Sequence, residues 1–180
     1  MKKLNADFGY TLDGGPLGSI EDESFSADAL KLKITGVSAH PGYAKNKMIN
    51  AIKIASQLIT SLPQDRMTPE TTEKREGFIH PMSITGGLEQ AEIDFIIRDH
   101  NTAKLAEYES LIEEKIQEIA ESNHGVTYQI EVTEQYRNMK EILNDFPHVT
   151  GYAEEAMKNV GVDPYFDLIR GGTDGSRLSL

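Results

Sequence analysis

Apolar and polar positions alternate in two different periods along this chain. Leu30, Leu32 and Ile34 are separated by Lys31, Lys33 and Thr35, the two-residue period of a strand with one buried face. Met48, Ala51, Ile52, Ala55, Leu58, Ile59 and Leu62 recur at three- and four-residue steps. That spacing predicts a helix over about 45–62, stopped by Pro63. A polar stretch, 64–76, reads as a surface loop. Two β-type runs follow, Gly77 to Thr85 and Ala91 to Arg98, with Gly86-Gly87 between them, the signature of a hairpin. Leu105, Tyr108, Ile112, Ile116 and Ile119 stripe a second helix over about 102–122, with Asn101 or Thr102 as its N-cap and Gly125 just past its end. Val126, Tyr128, Ile130 and Val132 alternate as a last strand.

The order is β-α-β-β-α-β from Ala29 to about Thr133. That order predicts an α+β, ferredoxin-like fold, a four-stranded antiparallel sheet with two helices on one face. The segments on either side do not belong to it. Phe8 to Leu12 reads as a short strand ended by Asp13-Gly14-Gly15-Pro16. Pro147 to Val160 reads as a helix and Asp167 to Ile169 as a strand running into Arg170-Gly171-Gly172-Thr173-Asp174-Gly175, with a further helix beginning near Leu178. The expected organisation is therefore a flank over 1–26, the ferredoxin-like domain over 27–137, and a second flank over 138–180.

Composition narrows the chemistry. Ile, Leu, Val and Phe make up 43 of the 180 residues, above the level of about 20% below which disorder is the default. No run of about 18 apolar residues exists, so no transmembrane helix is expected, and the N-terminal residues lack the apolar core of a secretory signal. There is no cysteine, which leaves His and carboxylates as metal ligands. A net charge of −11 without a basic cluster argues against nucleic acid as a partner.

Several residues are candidates for chemistry. Asp13 ends a strand before two glycines, where an oxygen ligand for a metal is commonly placed, although an Asp-Gly turn residue is the simpler reading. His40, in S-A-H-P-G, reads either as a loop histidine with no role or as a rigid donor, presented by Pro41 and Gly42, for a developing oxyanion. His80, His100, His124 and His148 have no such setting. Arg98 ends the alternating strand beside Asp99, either as a surface ion pair or as a fork for a carboxylate. Arg170 opens a Gly-rich loop that reads as a turn or as an anion-binding loop.

Taken together, Y-T-L-D-G-G-P-L-G, G-V-S-A-H-P-G-Y-A-K-N-K-M-I-N-A, I-I-R-D, Y-R-N-M and I-R-G-G-T-D-G-S-R-L-S resemble the tripeptide aminopeptidase (peptidase T) family. This is a branch of the di-zinc exopeptidases that include aminoacylase and carboxypeptidase G. The resemblance covers residues 4 to 180. It implies a cytoplasmic metallo-aminopeptidase with a two-zinc catalytic domain, into which a ferredoxin-like lid, often a dimerisation domain, is inserted. By that resemblance Asp13 is a zinc ligand, and His40 stabilises the tetrahedral intermediate. Arg98 faces the peptide substrate. Arg170 grips the peptide carboxylate, with Gly172 and Thr173 as further donors. The resemblance also places the family's His-x-Asp motif and Glu-Glu pair before residue 1 and its late His after residue 180. The chain is therefore expected to be a central fragment that does not hydrolyse tripeptides alone. The alternative reading is a non-catalytic dimerisation or substrate-capping module.

Overall fold

The computed structural model describes residues 6–12 and 15–178. Its elements are β1 (Ser19–Ser24), β2 (Ser26–Thr35), α1 (Ala51–Ser61), β3 (Phe78–Gly86), β4 (Gln90–Asp99), α2 (Ala103–Ser122), β5 (Thr127–Tyr136), α3 (Lys140–Leu143), α4 (Pro147–Asn159), β6 (Tyr165–Ile169) and α5 (Asp174–Leu178). Two compact units divide them. One holds the described residues up to Ser26, His100–Thr102 and those from Tyr136 on. The other holds Ala27–Asp99 and Ala103–Gln135.

The second unit has the expected β-α-β-β-α-β order and is ferredoxin-like. Its antiparallel sheet runs β3-β4-β2-β5. Strand periodicity sends Leu30, Leu32 and Ile34 of β2 and Ile93, Phe95 and Ile97 of β4 to one face. Ile54, Ala55 and Leu58 of α1 and Leu105, Ile112 and Ile116 of α2 close over them. The opposite face carries the intervening charges. Lys31 bridges Glu92 at 2.9 Å and Asp94 at 3.5 Å, and Lys33 lies 3.7 Å from Glu92. Ser83 donates to Asp94 at 2.6 Å. That hydrogen bond first, and Lys31 beside it, hold the Asp94 carboxyl below its ordinary value.

β3 is an edge strand, antiparallel to β4 with Phe78 opposite Arg98 and a bulge between Pro81 and Ser83. The outer side of its first half is occupied. Ile79 N–H donates to Met67 O at 2.9 Å, and Pro81 has no N–H to offer. Beyond the bulge, Met82 is 56% exposed and Ile84 46%.

The first helix departs from the sequence reading. It begins at Ala51 rather than near Lys45, because Asn46 adopts φ 61°, a left-handed conformation that an α-helix does not continue through. Val37 and Ile49 bridge instead, and Asn50 caps the helix by accepting from Ile52 N–H at 2.9 Å. The loop over 64–76 contains no helix or strand, yet Met67 packs against the core.

In the first unit, β1 pairs in parallel with β6, from Ser19 opposite Tyr165 to Ser24 opposite Ile169. The strand expected at Phe8 to Leu12 is absent. Phe8 and Tyr10 instead pack edge-on with one another, Phe8 meets His148 and Tyr152, and the Tyr10 hydroxyl donates to Val149 O. Aromatic partners on α4 thus take the place of a strand neighbour. β6 starts two residues earlier than Asp167. α5 starts at Asp174, inside the Gly-rich loop and ahead of the expected Leu178. The one-turn helix α3 has too short a period to be read from sequence.

A buried polar cluster ties this unit together. The Asn138 side-chain amide donates to His100 O at 2.9 Å, and its oxygen accepts from Ser24 N–H at 3.2 Å and Lys140 N–H at 3.0 Å. The Asn138 backbone N–H donates to Ser26 Oγ at 2.8 Å, and His100 lies against Phe25. The hydrogen bonds to its buried groups are what make such a cluster tolerable.

Candidate functional site

His40 stands at the start of a tight turn just past β2. The Val37–Ile49 bridge closes the loop that carries it. Pro41–Tyr43 form a single 3-10 turn, in which Tyr43 N–H donates to His40 O at 2.9 Å. The His40 Nδ1 accepts from Gly42 N–H at 3.1 Å. An imidazole nitrogen that accepts is unprotonated, so the neutral ring carries its proton on Nε2, which faces outward as a donor. That is the arrangement needed to meet an oxygen on which negative charge develops.

Gly42 leaves room for this close pose. A Cβ there would lie 3.3 Å from the His40 Cε1 and Nδ1, so the imidazole sits directly over the glycine backbone. The Tyr43 ring flanks the same imidazole, its centroid 5.5 Å away at an interplanar angle of 40°. Sequence reading gave Tyr43 no role. The turn H-P-G-Y was the available signal, since a residue after Gly42 must return past the histidine.

Arg98 and Asp99 do not pair, because successive strand residues project to opposite faces. Asp99 is buried with the core and accepts from the Tyr108 hydroxyl at 2.7 Å. Arg98 shares the open face of β4 with Glu92 and Asp94, whose carboxylates are held by Lys31, Lys33 and Ser83. The Arg98 Nε is buried and has no hydrogen-bond partner among the described residues. A buried donor without a partner is costly, and an arriving carboxylate would remove that cost through a charge-assisted bond.

The remaining sequence candidates belong to the first unit. Arg170 lies over the Phe25 ring, 5.1 Å from its centroid. Gly172 faces the Tyr136 ring, which a Cβ would meet at 2.7 Å. Thr173 caps α5: its Oγ1 accepts from Ser176 N–H at 3.1 Å, and its own N–H donates to Ser176 Oγ at 2.9 Å. This reciprocal cap engages the Thr173 N–H and the acceptor side of its hydroxyl, not the hydroxyl's own hydrogen. Asp13 lies outside the described residues. Among the described residues no three His, Asp or Glu side chains are grouped to hold a metal ion. The zinc implied by the resemblance therefore finds no ligand set among the described residues.

A family model described as a peptidase dimerisation domain matches residues 23–124, more than half of the chain. The chain belongs to this peptidase dimerisation domain family. It is also 47% identical over 180 residues to Peptidase T of Halothermothrix orenii, covering 99% of this chain and 44% of that protein. The crystal structure of aminopeptidase PepT from Bacillus cereus superposes with a TM-score of 0.79 at 24% identity, covering 97% of this chain and 46% of that one. The YXEP protein of Bacillus subtilis, described as a dinuclear metal-binding peptidase of the M20 family, shares the fold at a TM-score of 0.59 and 16% identity, over 91% of this chain and 41% of its own. The chain thus spans less than half the length of these relatives. The dimerisation domain covers β2 to α2 and includes both His40 and Arg98.

Proposed function

We propose that this chain forms the lid, over 27–137, and adjoining catalytic-domain segments, 1–26 and 138–180, of a cytoplasmic zinc aminopeptidase that removes the N-terminal residue of tripeptides. The observation that carries this reading is the 47% identity to Peptidase T of Halothermothrix orenii along 99% of the chain. In this reading Asp13 supplies one zinc ligand. Metal held there would supply Lewis acidity toward the scissile carbonyl and a water molecule. His40 donates from Nε2–H to the oxyanion, while Arg98, Arg170, Gly172 and Thr173 receive the peptide carboxylate. In the complete enzyme His40→Ala is expected to lower kcat by about a hundred- to a thousandfold. Arg98→Ala is expected to raise KM for a tripeptide but not for the corresponding C-terminal amide. Unchanged tripeptide kinetics in both variants would sink the reading.

A second role, self-association, is favoured by β3. From Phe78 to Gly86 this edge strand has no charged residue, and its second half exposes Met82 and Ile84. The other edge, β5, carries Glu131 and Glu134. Charges on an edge oppose pairing, and their absence permits it. Sedimentation of the chain across a range of concentrations should reveal a dimer that Ile84→Lys dissociates. A strict monomer at high concentration would count against the role.

A further inference from the structure

We propose that Tyr43 is a positioning residue for His40, holding the imidazole in the pose that leaves Nε2–H as the outward donor. The inference rests on the reading of His40 as an oxyanion donor, but its geometry stands independently. A single hydrogen bond, from Gly42 N–H to Nδ1, fixes the ring. An exposed hydrogen bond of this kind is weak and competes with water. The ring needs a second contact to stay over Gly42, and the Tyr43 face supplies it at 5.5 Å.

Among the described residues the Tyr43 ring has no other aromatic partner. It is 77% exposed and absent from the core formed by its neighbours. The backbone places it without help from the side chain, because the N–H to His40 O bond closes the turn. A large aromatic ring left in water beside a lone imidazole is accounted for by that imidazole. Offset or tilted contact between two such rings has a favoured geometry. Here it restrains rotation of His40 away from its cap.

The contact acts on which nitrogen carries the proton. While the ring lies over Gly42, Nδ1 accepts and Nε2 donates. When the ring swings away, either nitrogen can carry the proton, and the outward position is no longer reliably a donor. Loss of Tyr43 should therefore reduce the ratio of capped to uncapped poses by roughly two- to tenfold, the range expected for one aromatic pair.

The test is side-chain nitrogen NMR of the histidines in the 180-residue chain at about pH 8, above the ordinary histidine pKa of about 6.5, with His40→Gln identifying the His40 signals. The wild type is expected to show His40 in the Nε2–H form. Tyr43→Phe should retain it, whereas Tyr43→Ala and Tyr43→Leu should give a tautomer mixture with the other four histidines unchanged. His40 signals that are indifferent to Tyr43→Ala and Tyr43→Leu would overturn the proposal, as would Tyr43→Phe behaving like Tyr43→Ala. Tripeptide turnover insensitive to His40→Ala would instead sink the proposed function and leave the Tyr43 assignment standing.

Discussion

Phe95→Ala is expected to destabilise the ferredoxin-like unit by about 3–5 kcal/mol. Phe95 lies on the middle strands' buried face, 1% exposed, among residues from β2, α1 and α2. Removing its ring takes away dispersion contacts on every side, and close-packed neighbours relax only in part. Ile96→Ala, on the opposite face of the same strand, should cost a fraction as much, because that face is only partly covered. Urea unfolding followed by circular dichroism would measure both, with the slope unchanged for a pure stability effect. Equal losses for the two substitutions would mean that the strand does not bury alternate residues as described.

Gly77→Ala should be nearly as damaging, about 3 kcal/mol or more, for a different reason. A Cβ at Gly77 would sit 2.2 Å from the Asp99 Oδ2, 2.5 Å from Arg98 O and 2.7 Å from the Asp99 Cγ. Neither the strand backbone nor a carboxylate fixed by the Tyr108 hydroxyl has room to withdraw. The substitution therefore overpacks the site and pulls a buried carboxylate off its partner. The pair also has a pH signature. Burial first, then the hydrogen bond and charge of Asp99, push the Tyr108 phenol well above its usual value. The folded form thus favours the neutral phenol, so its contribution is complete below about pH 10, the ordinary tyrosine value. It is lost as pH rises above that value towards the folded one. Wild-type stability should fall across this alkaline range, and Gly77→Ala should flatten the fall. A wild-type level of stability in Gly77→Ala at neutral pH would show that the close approach is not real.

Much of the ferredoxin-like unit was legible because its signals are local and periodic. Leu30, Leu32 and Ile34 declare a strand face. Leu105, Tyr108, Ile112, Ile116 and Ile119 declare a helix stripe, and the glycines at 86 and 87 separate the hairpin strands. The start of α1 was less legible, since Met48 fits the helical stripe but the backbone at Asn46 does not continue it. Phe8 to Leu12 failed as a strand because a strand is defined by its neighbour. Apolar alternation alone could not show that Phe8 meets His148 and Tyr152 and that the Tyr10 hydroxyl reaches Val149 O instead.

The candidate site shows the same division. His40, Arg98 and Arg170 stand out in short motifs, so type and position were readable. What each touches was not. Nothing local says that Thr173 is taken up by Ser176, or that the acids on the face of Arg98 are occupied by Lys31 and Lys33. Asp99 read as a partner for Arg98 and turned out to belong to Tyr108, a consequence of strand parity that only the buried side of β4 decides.

The cluster at Asn138 has a consequence for how the chain folds. It gathers residues 24–26, 100 and 138–140, and β1 must find β6 across the whole intervening sequence. Closing so long a loop in an unstructured chain carries a large entropy cost before any contact rewards it. The ferredoxin-like unit contains most of that loop, the rest being α3, α4 and their connections. Once it has folded, the loop that β1 and β6 must still close is much shorter, so their parallel pairing costs less entropy. On this entropy argument the discontinuous unit is expected to close after its insert has folded.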